Sequence, residues 1–176
     1  LRVIGLAGWS GAGKTTLLTR LLPVLVGQGL SVSTLKHAHH AFDVDQPGKD
    51  SHAHREAGAS EVLVASGRRW ALMHELRAER EPTLAELLVR LSPVDLVIVE
   101  GFKRAPHPKL IVHRAANGEP LLADCPGTIA FAADEALPDA PCPVLPLDDT
   151  LAIAALLRAR ALPLPATLAL LTTPAE

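Results

Sequence analysis

The sequence predicts an α/β fold built on a mainly parallel sheet with one antiparallel hairpin segment. Three observations carry this. Strand-like and helix-like segments alternate along the chain, the signature of strands joined by crossover helices. Residues 96–99 (Leu-Val-Ile-Val) form an uninterrupted apolar run, as expected of a central parallel strand buried on both faces. Two short strand patterns, 61–66 and 70–74, flank Gly67-Arg68-Arg69 and read as a hairpin.

In order, residues 2–7 are an apolar strand ending in a glycine-rich turn. Residues 14–28 place Leu17, Leu18, Leu21, Leu22 and Leu25 at helical spacing, with Gly27 and Gly29 as the stop and Pro23 expected to kink or shorten the helix. Residues 30–36 alternate like a half-buried strand, and 37–49 form a polar loop. Asp50 or Ser51 caps a short helix reaching Ala57 and stopped by Gly58. After the hairpin, Thr83 caps a helix carrying Leu84, Leu87, Leu88 and Leu91. Strands follow at 96–99, 109–113, 128–132 and 144–145, then a last helix over 151–160. The prolines between 126 and 146 read as rigid connections. Residues 1–160 are expected to form a single domain, and 161–176 a loose tail broken by Pro163 and Pro165.

The chain has 176 residues, of which 48% are apolar and 20% charged, enough to bury a core and too few charges for a disordered chain. A net charge of −2 gives no global attraction to nucleic acid or anionic membrane, so neither is expected as a partner. Cys125 and Cys142 stand far apart, which fits a reduced, cytoplasmic protein better than a disulfide scaffold. No segment reads as a signal peptide or a membrane span.

Gly8-Trp9-Ser10-Gly11-Ala12-Gly13-Lys14-Thr15 matches Gly-x4-Gly-Lys-Ser/Thr, a pattern that this composition yields by chance about twice in a thousand shuffled sequences. A strand precedes it and a helix follows, so the expected fold is P-loop NTPase-like, in three layers. Glycines let the loop turn its N–H groups inward around phosphate oxygens, and the helix start adds a positive dipole end. The nucleotide-binding candidates are Gly8, Ser10, Gly11, Ala12, Gly13, Lys14, Thr15 and Thr16. Lys14 reaches the outer phosphates, the Thr15 hydroxyl binds Mg²⁺, and Thr16 contacts the α-phosphate region.

A P-loop enzyme also needs a carboxylate to orient Mg²⁺ or water. Asp95 and Glu100 bracket one strand and stand about 17 Å apart, too far to share a site. Sites in parallel sheets lie at the carboxyl ends of strands. That selects Glu100, beside Lys14, as the catalytic candidate and, with Thr15, as the metal-binding one.

Five of the eight histidines (His37, His39, His40, His52 and His54) lie between residues 37 and 54, with Asp43, Asp45 and Asp50 among them. A loop contacting Mg²⁺ or γ-phosphate through Asp43 or Asp45, a transition-metal site and an ordinary solvated loop all remain open here. The guanine-reading pattern Asn/Thr-Lys-x-Asp is absent, since none of the five lysines has Asp two positions later. ATP and GTP are therefore both open. Asp134, just past a predicted strand, is a substitute candidate, because a carboxylate accepts hydrogen bonds from guanine N1–H and N2–H₂.

Several stretches together resemble the molybdopterin-guanine dinucleotide biosynthesis protein B family. They are the P-loop, Lys36-His-Ala-His-His40, Phe42-Asp-Val-Asp-Gln-Pro-Gly-Lys-Asp-Ser51, Arg55-Glu-Ala-Gly-Ala59, Val64-Ala-Ser66, Arg69-Trp-Ala-Leu-Met73 and Asp95-Leu-Val-Ile-Val-Glu-Gly-Phe-Lys103. The likeness covers residues 6–103 in order and runs more loosely to about 160. It implies a homodimeric GTP-binding adapter with weak Mg²⁺-dependent GTPase activity. Its partner would be the molybdopterin guanylyltransferase, which attaches GMP to molybdopterin, and molybdopterin itself is a further candidate ligand. The resemblance favours GTP and Asp134. It departs at Ala41, where the family often carries Asp. Lys36, His37, His39, Asp43, Asp45 and Lys103 are the candidates for a substrate or switch loop, with Lys36, Lys103 and Arg104 adding positive charge for an anionic ligand. A small-molecule kinase, and a metal-delivery chaperone switched by nucleotide, are the alternative functions.

Overall fold

The computed structural model describes residues 1–38 and 42–172. It divides into two compact units, residues 1–37 with 84–176, and residues 38–83.

In the first unit, β1 (Arg2–Ala7) leads through the glycine-rich loop into α1 (Lys14–Gly27), and β2 (Val32–Lys36) follows. The helix runs through Pro23 without a break. Leu17, Leu18, Leu21 and Leu25 give it one buried stripe, so packing holds the turn that proline leaves one hydrogen bond short.

The second unit contains α2 (Asp50–Glu56), β3 (Glu61–Ala65) and β4 (Trp70–His74). The two strands pair antiparallel from Glu61 opposite His74 to Ala65 opposite Trp70, as the sequence predicts. They form a separate two-stranded sheet rather than an antiparallel part of the main one.

The chain returns to the first unit with α3 (Leu84–Leu88), β5 (Leu96–Glu100), β6 (Lys109–His113), β7 (Thr128–Ala133), β8 (Val144–Pro146), α4 (Thr150–Arg160), β9 (Leu162–Pro163) and α5 (Leu164–Thr172). The main sheet runs β2-β5-β1-β6-β7-β8, with every neighbouring pair along that path parallel. Side chains alternate across it. Ile4, Leu6, Ile98, Leu110 and Val112 meet the leucines of α1 and Ile153, Ala154 and Leu157 of α4 on one face. Val3, Val97 and Val99 meet Leu84 and Leu88 of α3, with Leu164 and Leu171 of α5, on the other. This is the expected three-layer α/β arrangement. Each fully buried leucine contributes about 2 kcal/mol of apolar transfer.

The segment after residue 160 differs from its expectation as a loose tail. Ala161 is buried and its carbonyl accepts from the Arg2 guanidinium, Nε at 2.9 Å. β9 then pairs antiparallel with the start of β1, and Leu164 N donates to Leu1 O. The two prolines do not prevent this. Pro163 ends the short strand, and Pro165 occupies the first turn of α5, where a missing N–H costs nothing.

Candidate functional site

The carboxyl ends of the parallel strands converge on the loop after β1, which lies between β5 and β6 in the sheet. Gly13, at φ 90°, is the N-cap of α1 and carries no capping side chain. Helix geometry leaves the N–H groups of Lys14, Thr15 and Thr16 without intrahelical acceptors, and the first turn holds no acidic residue. Such an end attracts an anion. Gly8, at φ 144°, lies so close to β6 that a Cβ there would stand 2.4 Å from the Val112 carbonyl oxygen. Glycine is thus required at Gly8 by close approach as well as by φ.

Lys14 folds back over this loop, its Nζ donating to Gly8 O at 3.2 Å and Trp9 O at 2.8 Å. Its pKa is lowered, chiefly by burial. Glu100 opposes that shift, while the Lys103 and Lys36 charges add to it. The predicted acid, Glu100, is buried at the end of β5. Its Oε1 accepts from the Thr15 hydroxyl at 3.3 Å and lies 3.5 Å from Lys36 Nζ at the end of β2. Thr15 and Glu100 thus present two hard oxygen donors side by side. That donor set suits Mg²⁺, which takes one or two protein oxygens and completes its shell with water and phosphate.

Lys103 lies just past β5, with its Nζ 4.2 Å from the centroid of the Trp9 ring, a cation–π contact. The His37 ring packs against Phe102, with ring centroids 4.8 Å apart and the planes tilted by 45°. Lys14, Lys36 and Lys103 therefore gather with Glu100 at one end of the sheet, as the sequence placed them. Asp95 stands at the opposite end of β5, where its Oδ2 accepts from the backbone and hydroxyl of Ser31.

Asp134 follows β7. Its Oδ1 accepts from Ala115 N at 2.8 Å, and its Oδ2 lies 3.5 Å from Arg114 Nη1. It borders two cavities, one of about 580 Å³ with Leu137 and Val144, and one of about 390 Å³ with Arg114, Leu147 and Asp148.

Asp43 and Asp45 belong to the second unit. Asp43 accepts both terminal nitrogens of Arg55, at 3.1 and 2.8 Å, and Asp45 Oδ2 lies 3.5 Å from Arg55 Nε. The Arg55 hydrogen bond is also the main cause of the lowered Asp43 pKa. His39, with His40 and Ala41, lies outside the described residues. Among the described residues, no group of three or more His, Cys, Asp or Glu side chains could hold a metal ion.

Three residues around the loop were missed by sequence reasoning. Trp9 Nε1 donates to Pro120 O at 2.7 Å, and Asn117 Nδ2 donates to Ser10 O at 2.9 Å. The Arg114 guanidinium lies 3.2 Å from where a side chain on Gly13 would begin. The strand-end rule that selected Glu100 also applies to β6, and applied there it points to Arg114.

Comparison with known proteins agrees with this architecture. The family model described as molybdopterin guanine dinucleotide synthesis protein B matches residues 3–134. The molybdopterin-guanine dinucleotide biosynthesis adapter protein of Escherichia coli is 45% identical over 75% of this chain and 78% of that protein. The protein of the same name from Haemophilus influenzae is 43% identical over 68% of this chain and 67% of that one. The crystal structure of Bacillus subtilis MobB superposes with a TM-score of 0.73 at 27% identity, covering 92% of this chain and 98% of that one. This chain therefore belongs to the molybdopterin guanine dinucleotide synthesis protein B family.

Proposed function

We propose that this protein is an adapter in molybdopterin guanine dinucleotide biosynthesis that binds GTP with Mg²⁺ and hydrolyses it slowly. The observation that carries this is the grouping of Lys14 and Thr15 at the start of α1 with Glu100 at the end of β5, and with Lys36 and Lys103 around them. In this reading the loop N–H groups cradle the phosphates. Lys14 leaves the Gly8 and Trp9 carbonyls to neutralise charge on the outer phosphates. Thr15 and Glu100 hold Mg²⁺, which supplies charge neutralisation on the phosphate oxygens. Lys36 and Lys103 add positive charge for an anionic ligand, either the γ-phosphate or the phosphate of molybdopterin. Asp134 reads guanine from the carboxyl end of β7. Asp43 and Asp45 already neutralise Arg55, so they are assigned to bracing their own loop.

The adapter role requires a partner in the pathway, proposed here as the molybdopterin guanylyltransferase, with the chain acting as a homodimer in the cytoplasm. Titration with GTP and ATP in Mg²⁺ is the direct test. GTP should bind more tightly than ATP, and Lys14→Ala should abolish binding. Equal affinities would remove the guanine assignment, and binding retained in Lys14→Ala would remove the loop from the site. Co-purification with the transferase in the presence of GTP and Mg²⁺ tests the partner.

A further inference from the structure

Arg114 stands between the phosphate loop and the candidate base-reading residue. It follows β6 directly, on the side of β1 away from Glu100. Its Nη2, Nε and Cζ lie 3.2, 3.3 and 3.7 Å from the point where a Gly13 side chain would begin. One end of the guanidinium therefore covers the start of α1. Its Nη1 reaches Asp134 Oδ2 at 3.5 Å. Both residues line the cavity of about 390 Å³ that Arg20, Pro146, Leu147 and Asp148 complete. A nucleotide with its phosphates on the loop and its base against Asp134 must pass this side chain.

We propose that Arg114 is a phosphate-released latch on Asp134, which makes base discrimination conditional on a phosphate at the loop. This deepens the proposed GTP-binding reading and rests on it. The Arg114–Asp134 contact is long, single-pointed and partly exposed, with side-chain exposures of 40% and 32%, so solvent screens it. A phosphate beside Gly13 offers the same guanidinium two parallel hydrogen bonds and a full negative charge, the geometry that Arg binds best. Asp134 does not swing away when Arg114 changes partner, because its Oδ1 is fixed by the Ala115 N–H at 2.8 Å. Release of Arg114 then gives Oδ2 back to the cavity with its orientation set, ready to accept from N1–H or N2–H₂ of guanine.

The latch predicts effects of opposite sign on ligands that differ only in phosphate. Affinities of guanosine and GDP are measured for the wild type and for Arg114→Ala, with Arg114→Lys as a charge-retaining variant and circular dichroism to confirm folding. Arg114→Ala should weaken GDP by about tenfold to a hundredfold, the scale of a lost charged hydrogen bond. The same change should tighten guanosine by about twofold to fivefold, the scale of a partly exposed ion pair no longer competing for Asp134. Arg114→Lys should fall between the two on GDP. Guanosine and GDP weakened alike, or neither changed, would overturn the latch and leave the loop reading intact. Lys14→Ala, run in parallel on GDP, tests that reading separately.

Discussion

Lys36 and Glu100 stand on the same rung of neighbouring parallel strands, and their side chains meet beyond the end of the sheet with Nζ 3.5 Å from Oε1. The same carboxylate oxygen takes the Thr15 hydroxyl. One buried acid thus touches the ends of two elements, β2 and α1, and is also the main group sustaining the charge of Lys14 against burial. Its effect on Lys14 can be read through pH.

Nucleotide binding that needs the Lys14 ammonium must fail as pH rises through the Lys14 pKa. Glu100 raises that pKa, whereas Lys36 and Lys103 lower it. Glu100→Gln should therefore move the alkaline loss of binding to lower pH and weaken its dependence on Mg²⁺. A binding titration across alkaline pH, with and without Mg²⁺, checks both. An alkaline limb that coincides with the wild type would mean that Glu100 does not act on Lys14.

The glycine at the start of the loop gives a second prediction. Gly8→Ala places a Cβ 2.4 Å from the Val112 carbonyl oxygen, a backbone atom fixed in the sheet, at φ 144°. We expect it to cost about 2 kcal/mol or more and to abolish nucleotide binding. Gly118 makes the control, since it also has positive φ (67°) but has nothing within 4 Å of the added atom. Gly118→Ala should cost about 1 kcal/mol and leave binding unchanged. Urea midpoints of the two variants decide the matter, and equal costs would refute the close-approach account.

These residues show where sequence reasoning reaches and where it stops. Glu100 was legible because the end of a parallel strand is a topological position, and the run preceding it is unmistakably a strand. Asp95 was set aside by the same rule, and it does hold the other end of β5 to Ser31. Arg114 stands at a strand end that the same rule covers, but its pairing with Asp134, like the contacts of Asn117 with Ser10 and of Trp9 with Pro120, comes from chain folding and not from any short motif. The segment after residue 160 departs from the expected loose tail because the effect of a proline depends on its position in the element. Pro165 falls in a first turn, and the Leu1 carbonyl that takes up Leu164 N–H lies at the far end of the sequence.

Arg55 supports a third prediction, confined to the second unit. It faces Asp43, Asp45 and Glu75, the last with Nη1 3.2 Å from Oε1. Arg55→Ala removes the guanidinium that Asp43, Asp45 and Glu75 all face. Arg55→Lys keeps the charge but loses the fork that Asp43 accepts. Hydrogen exchange of α2 and of the hairpin amides should quicken in both variants, more in Arg55→Ala, with the amides of β1 and β5 unaffected. The lowered Asp43 pKa sets the pH sign. Native Asp43 holds its charge at pH values where the unfolded chain takes up a proton. The protection is therefore present above the ordinary carboxylate pKa and lost as pH falls through the lowered value. Uniform quickening across both units would show that Arg55 does not act locally.

His107 and Lys109 make stability depend on pH from two directions. His107 is fully buried, and neither ring nitrogen has a hydrogen-bond partner among the described residues. Burial, with the Lys109 charge adding to it, depresses its pKa to about 3. Between the ordinary histidine value near 6.5 and that figure, the unfolded chain takes up a proton that the native one refuses. Stability must then fall as pH falls, by about 1.4 kcal/mol per unit and a few kcal/mol in all. Lys109 is buried too, its Nζ donating to the carbonyls of Ala105 and Pro126, and burial lowers its pKa to about 8. The native state releases that proton first, so stability rises as pH climbs from about 8 towards the ordinary lysine value of 10.5. Carboxylates such as Asp95, whose pKa is lowered by Ser31, add to the acid loss, so the decisive quantity is a difference between variants. His107→Leu should remove most of the slope between pH 6.5 and 4 and leave the alkaline rise in place. Urea midpoints taken at half-unit intervals provide the comparison. Parallel acid limbs for wild type and His107→Leu would mean that the buried imidazole accepts its proton without cost.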